Sequence, residues 1–415
     1  MKIASIEDLH ADGGWRTFSF LKLTTDCGLV GWSEYSECGW NRGLTSVIRN
    51  MGQVAIGQDP RAFAKISASL IAQTRMASGG LNQQAIAAIE NACIDLAAKS
   101  VARPVHALFG GPLRDRIPVY WSHCGSFRAV HGELFEELLG TPPLRSLDDI
   151  TKLGKEAVRR GFKAVKTNPV IFAPGGPRML NPGFSPVGLD FRHRADNAVI
   201  DAIVEQLAAF REGLGRDAGL LLDLNFGFRP ESLRRIAGAI EPYRLDWLEI
   251  DLHDPAALAT VRREANVPIA SLEAIYGRRG YKPYLEAYAA DIAIVDIPWN
   301  GLAEAVRIAA MAETYEINTA PHNFTGPLCN LMSAHFCAAV PNVQTMELEV
   351  DDVPWKNLLV TRPGKIEDGD YVIPDGPGWG AEVVESAVAE YPPSRAARPP
   401  AGWEDGRQAG RGKNL

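Results

Sequence analysis

No Cys-x-x-Cys pair occurs in the sequence. Its six cysteines, Cys27, Cys38, Cys93, Cys124, Cys329 and Cys337, are scattered, so neither a zinc ribbon nor a disulfide framework is expected, and buried or idle thiols in a reducing compartment are. Long runs of Lys or Arg are missing too, and the net charge is −7, which argues against a nucleic-acid groove or a membrane surface as partner. Small molecules fit better. No stretch approaches the ~18 uninterrupted apolar residues of a spanning helix, and the start MKIASIEDLH lacks the apolar core of a secretory signal, so a cytoplasmic address is expected. At 415 residues with 46% hydrophobic and 22% charged, the composition is that of a soluble chain longer than one average domain.

What the chain does have is a repeated ending. Five short apolar runs in its second half each stop on a carboxylate or a histidine: LLLDLN with Asp223, DWLEI with Glu249, PIASLEA with Glu273, AIVDI with Asp296 and INTAPHN with His322. Apolar runs of this length separated by helical stretches read as parallel strands in βα units, and a polar residue at the carboxyl end of such a strand points to a site. Eight strand candidates follow: 117–121, 162–167, 219–224, 246–250, 267–271, 292–296, 317–321 and 344–348. Helical stretches such as NAVIDAIVEQLAAFREGLG and LAEAVRIAAMAETY lie between them, which is the pattern and size of an α/β (β/α)₈, TIM-like barrel.

Residues 1–115 read differently, as an α+β capping unit. SFLKLTTDCGLVGWSEY alternates around a TDCG turn and NQQAIAAIENACIDLAAKSVA repeats at helical spacing. The barrel then occupies 116–349, residues 350–390 return to the capping unit and complete it, and 391–415 form a poorly ordered tail. One connection stands out. Residues 171–197, rich in Gly and Pro, far exceed the ~2–6 residues of a usual βα loop, so this excursion is either a lid over the barrel mouth or a surface loop.

Asp223, Glu249 and Glu273 close three successive strands, 26 and 24 residues apart. Neighbouring strands lie ~4.8 Å apart, so three carboxylates at their ends converge and repel. A single acid at a strand end is ordinarily just solvated. Three in register suit a hard divalent cation, and an all-oxygen set favours Mg²⁺ over zinc.

In this order the motifs are specific, and over nearly the whole chain they resemble the enolase superfamily, in its mandelate racemase and acid-sugar dehydratase branch. FLKLTTDCGLVGWSE is similar to that family's N-terminal hairpin, AIAAIENACIDLAAKSVARPVHALFGG to its capping helix, GFKAVKTN to its second-strand lysine motif, DLNFGF and PIASLE to ligand-bearing strands, and VDIPWNG with APHN to its Asp/His pair. WLEIDL departs from the family's WIEEP-like pattern at Ile250 and Leu252, but keeps Glu249. The resemblance implies Mg²⁺-assisted removal of the proton α to a carboxylate, a small-molecule carboxylate substrate and a homo-oligomer.

It also implies roles for individual residues. His322 matches the family's base, with Asp296, one strand earlier, fixing its tautomer. At the second strand the family has Lys-x-Lys, the second lysine being a base; here Lys166-Thr167-Asn168 puts an amide in that place. Lys166 is then a carboxylate binder and electrophile, and Asn168 a hydrogen-bonding group. Glu347, or Glu349 two residues on, matches the acid that meets the substrate carboxylate; Asn225 and Asp251, each two residues past a metal ligand, are expected to hold those ligands in place or to meet substrate hydroxyls. Trp15 and Arg16 lie where the capping unit sends a loop over the barrel mouth, and Arg178, Arg192 and His193 lie in the excursion; each is a candidate substrate contact.

Asn168 bears on the reaction. Racemisation or epimerisation normally needs a base on each face of the α carbon, and one face has lost its lysine. Elimination needs one: His322 takes the α proton and returns it to the departing β-hydroxyl, giving a 2-keto-3-deoxy acid. A Mg²⁺-dependent dehydratase of a sugar acid is therefore the first reading, with a racemase, epimerase or cycloisomerase on the same scaffold as the alternative. A non-catalytic sugar-acid binding barrel would be marked by loss of the dyad or a ligand, and all five residues are present. A metal-dependent aldolase barrel would not need the capping unit.

Overall fold

A computed structural model describes residues 1–37, 41–173, 176–182 and 192–393. The N-terminal unit is a three-stranded antiparallel sheet, Ile3–Asp12, Thr17–Thr25 and Val30–Ser36, packed on the helix Gly80–Ser100. Gly28, at φ +83, closes the hairpin where the TDCG signal lies. The contact with the helix is so close that a Cβ on Gly31 would meet the Ala92 carbonyl oxygen at 2.5 Å. Residues 84–98 of the helix are buried on every side, because its other face abuts the barrel: Asn91 donates to the Ile297 carbonyl and accepts from the Leu302 amide.

Eight parallel strands form the barrel: Arg116–Ser122, Ala164–Thr167, Gly219–Asp223, Trp247–Glu249, Ile269–Ser271, Ile292–Asp296, Asn318–His322 and Met346–Glu349. Each overlaps its expected range. The eighth pairs with the first, and paired backbone bonds between Thr319 and residues 342 and 344 close the gap to the seventh. Tyr120, Leu221, Trp247, Ala270, Ile292, Ile294 and Ala320 fill the interior, so the barrel is a packed core and not a pore. Its carboxyl ends are left as the place for chemistry.

Two features differ from the expectation. The excursion after the second strand is partly regular: Val170–Ala173 and Gly176–Met179 pair as an antiparallel hairpin, whose short, Gly/Pro-flanked strands gave no alternation to read, and 174–175 and 183–191 lie outside the described residues. The C-terminal segment touches the N-terminal unit, Trp379 donating to Asp95 and Lys22 pairing with Glu385, and its strand Asp370–Val372 pairs antiparallel with the first barrel strand. The expected tail, 391–415, lies almost wholly outside the described residues. No helix among the described residues is long and apolar enough to cross a membrane.

Two buried carboxylates join these parts. Asp95 accepts the backbone amides of Trp32 and Trp379, each at 2.9 Å, and pairs with Lys99 at 2.8 Å, tying hairpin, helix and C-terminal segment together. Glu34 accepts the amides of Gly326, Leu328 and Cys329 at 2.6, 2.9 and 3.0 Å, capping the barrel helix Pro327–Ala339 that follows the seventh strand. Arg16 adds bonds to the carbonyls of Phe324 and Thr325 and an ion pair with Asp352.

Asp95→Ala leaves the buried amides of Trp32 and Trp379 without their acceptor, while Lys99 keeps Glu382 and the Val30 carbonyl, and should lower unfolding stability by about 2–4 kcal/mol in denaturant titration. Burial pushes Glu34 up to about 7 against the pull of its three amides. Because the folded state then holds that proton more tightly than the unfolded chain, stability is lost as pH rises from the ordinary carboxyl range through 7. Glu34→Gln does not titrate, so the wild type should lose up to about 3 kcal/mol relative to it between pH 5 and pH 8, measured by unfolding at each pH.

Candidate active site

A cavity of about 250 Å³ opens at the carboxyl ends of the barrel strands. Lys166, Asn168, Asp223, Asn225, Glu273, His322 and Glu347 enter it from the barrel, Trp15, Arg16, Ser36 and Gln84 from the N-terminal unit, and Met179 and Asn181 from the excursion. Trp15 is anchored there by edge contacts to Phe127 and Phe135, at 5.3 and 5.2 Å between ring centres. The mouth is therefore built from both halves of the fold.

The parallel register brings the acids together. Asp223 and Glu249 are direct partners on the third and fourth strands, and Glu273 follows the fifth. Leu272, at φ +90, is a strained position for a branched side chain; its amide donates to Asp251, and the turn delivers Glu273 to the cavity. Lys166 sits within this group, 3.0 Å from Glu249, 2.8 Å from Glu347 and 3.9 Å from Asp223. Burial works against its charge, but Glu249 and Glu347 hold its pKa well above the usual lysine range. Burial also raises Asp223, lifts Glu249 to about 7 and drives Glu273 far up. Glu347 goes the other way: burial would raise it, yet Lys166 and His322 hold it at about 2.

His322 pairs with Asp296 across two adjacent strands in register, Nδ1 to Oδ2 at 2.6 Å, and its Nε2 lies 3.4 Å from Glu273. Burial lowers its basicity, but Glu273 and the Asp296 bond outweigh that and lift it to about 10. Among the described residues no three acidic, imidazole or thiol groups stand close enough to form a ready-made metal cage. The acids are instead spanned by Lys166 and His322. Their donor chemistry nonetheless fits a hard cation: all are carboxylates on neighbouring strand ends, and Glu249 Oε1 is buried with no hydrogen-bond partner among the described residues.

Other residues take more definite places than the sequence assigned. Asn168 lines the cavity, but its amide already accepts from Ser126 and donates to the Asp223 carbonyl. Asn225 donates to Asp223 from both backbone and side chain. Asp251 does not line this cavity but the neighbouring one, and accepts from Ser271 and Leu272. Arg16 reaches the cavity wall with its guanidinium committed to Asp352 and two carbonyls. His193 does not line this cavity. It lines a neighbouring one, with Arg229, His253 and Asp254. Arg178 and Arg192 are exposed.

One residue was missed. His123 follows the first barrel strand and lines the same cavity, its Nδ1 2.7 Å from Glu349. The strand-end rule that found the other five applies equally to VYWSH. Glu349 is thus bound to His123, whereas Glu347 belongs to the Lys166 group.

The sequence matches two family models, the N-terminal domain of mandelate racemase / muconate lactonizing enzyme over residues 13–110 and the enolase C-terminal domain-like model over 149–387. It is 29% identical to a D-xylonate dehydratase of Haloferax volcanii, covering 94% of this chain and 89% of the relative, and 26% identical to a D-gluconate dehydratase of Thermoproteus tenax, covering 92% and 71%. Among solved structures it is similar to a protein of Burkholderia xenovorans strain LB400, described as a candidate L-alanine-DL-glutamate epimerase bound to magnesium and fumarate, at 40% identity, with 98% of this chain and 99% of that one covered and a TM-score of 0.93. The match of both models along one chain, on a capped barrel with its acids at the strand ends, places this protein in the enolase superfamily, with the mandelate racemase / muconate lactonizing enzymes.

Proposed function

We propose that the protein is a Mg²⁺-dependent hydro-lyase that converts a sugar acid, an aldonate or aldarate, to a 2-keto-3-deoxy acid. The observation that carries this reading is the meeting, at one cavity, of His322 held from behind by Asp296, a buried lysine and the strand-end carboxylates Asp223, Glu273 and Glu347, with Glu249 bonded to that lysine. Relatives named D-xylonate and D-gluconate dehydratase support the substrate class.

In this reading Asp223, Glu249 and Glu273 hold the cation. Bound there, Mg²⁺ supplies positive charge against the second negative charge that a carboxylate gains when its α proton leaves. Lys166, already flanked by Glu249 and Glu347, donates to a substrate carboxylate oxygen and stabilises the same charge. Asp296 fixes Nδ1 of His322, so Nε2 is the nitrogen that takes the α proton once Glu273 is committed to the cation. Asn168 cannot take a proton on the opposite face, which favours elimination over a two-base inversion.

Epimerisation is the second reading, favoured by the Burkholderia structure at 40% identity. The two are separated by incubating the protein with a library of sugar acids and Mg²⁺ and scoring 2-keto product. Dehydration of at least one acid, abolished by chelator and restored by Mg²⁺, is expected; exchange or inversion of the α hydrogen with no loss of water would contradict the reading. His322→Asn should lower turnover by about 10²–10⁴-fold, with Mg²⁺ affinity in calorimetry kept within a few-fold. Unchanged turnover would remove His322 as the base.

A further inference from the structure

Elimination requires a second proton movement, because hydroxide is a poor leaving group and its oxygen must be protonated as the bond to the β carbon breaks. His322 is not the only acid–base group in the cavity. His123 stands at the carboxyl end of the first barrel strand with its ring wedged in place: Phe127 stacks on its face at 3.9 Å and 10°, and Phe324 meets it edge-on at 5.9 Å. Phe324 also touches the His322 ring, at 5.0 Å, so the two imidazoles flank one aromatic side chain at the same cavity wall. Nδ1 of His123 is taken by Glu349 at 2.7 Å and Ser122 at 3.2 Å, and Ser122 in turn bonds Glu347. Nε2 bonds none of the described residues in the same way, which leaves it for a ligand. The backbone at His123 is held at φ +48, a left-handed conformation that is unfavourable for a non-glycine residue and persists where the surroundings over-determine it.

We propose that His123, oriented by Glu349, is the group that hands a proton to the departing β-hydroxyl, an inference that rests on the dehydratase reading. It replaces the expectation that His322 performs both transfers. Burial pushes the imidazole down to about 3 and drives the Glu349 carboxyl well above its ordinary range, and both shifts favour the uncharged form of each group. A pair in that state has a proton to give. The C–H bond at the α carbon breaks towards Nε2 of His322, its electron pair becomes the new C=C bond, and the C–O bond at the β carbon breaks as the oxygen takes the Nε2 proton of His123 and leaves as water. Glu349 passes its proton to Nδ1 of His123. The enol then tautomerises to the ketone, His322 releases its proton, and solvent reprotonates Nε2 of His123 as Nδ1 returns its proton to Glu349, so the pair is restored and nothing is oxidised or reduced.

The test follows water loss and α-hydrogen exchange together in D₂O, for the Mg²⁺-loaded wild type, His123→Asn and Glu349→Gln. Each is given the acid that the wild type dehydrates best and its 3-deoxy-3-fluoro analogue, whose fluoride leaves without first being protonated. In His123→Asn the ratio of elimination to exchange on the hydroxy acid should fall by about 10²-fold or more, while fluoride release falls far less, a rescue that a merely structural role would not give. Glu349→Gln, which keeps the imidazole, should show the same partition to a smaller degree and carries the test if His123→Asn does not fold. An unchanged ratio, or equal loss of water and fluoride elimination, overturns the inference alone. A wild type that dehydrates no sugar acid overturns the dehydratase reading and this inference with it.

Discussion

Mutual repulsion among buried carboxylates is the constraint on which the site depends. Asp223, Glu249, Glu273 and Glu347 are delivered to one end of the barrel by strand register, and each is almost wholly removed from water. Ionised and alone they would oppose folding. Two cations built into the chain answer them. Lys166 reaches three of the four and His322 touches the other, so the charge pattern that destabilises the strand ends also fixes where a proton and a further cation can act. Glu249 Oε1 is the point where that internal compensation falls short.

The N-terminal unit is more than a cover. Glu34 caps the helix after the seventh strand and Arg16 grips the two carbonyls just before it, so the segment that carries His322 is braced from outside the barrel. Asp95 in turn fixes the hairpin that bears Glu34 to the long helix and to the C-terminal segment. The cap and the segment that carries the base are thereby joined through buried hydrogen bonds, which lose far more when one partner is removed than they contribute as a pair.

Strand ends were legible in the sequence because the parallel barrel repeats one local rule: an apolar run, then a polar residue at the carboxyl end. That rule and the motif order located the barrel strands, the five strand-end residues and Lys166. Contacts made by long side chains across the fold were not legible, since no local pattern records that Arg16 ends on Asp352 or that Lys166 lies among three acids. The place of His193 was not legible for a related reason: its sequence position assigns it to the excursion, but not to the neighbouring cavity that it lines. His123 obeyed the strand-end rule, but its partner Glu349 lies on the eighth strand, 226 residues away, and the dyad exists only once the barrel closes.

The most direct test of this account is the dependence of unfolding on Mg²⁺. If the strand-end acids hold the cation, the midpoint of thermal unfolding should climb steadily with Mg²⁺ above the dissociation constant, as binding to the folded state alone requires, and Glu249→Gln should flatten that climb. A midpoint that does not move with Mg²⁺, or that moves equally in Glu249→Gln, would contradict it.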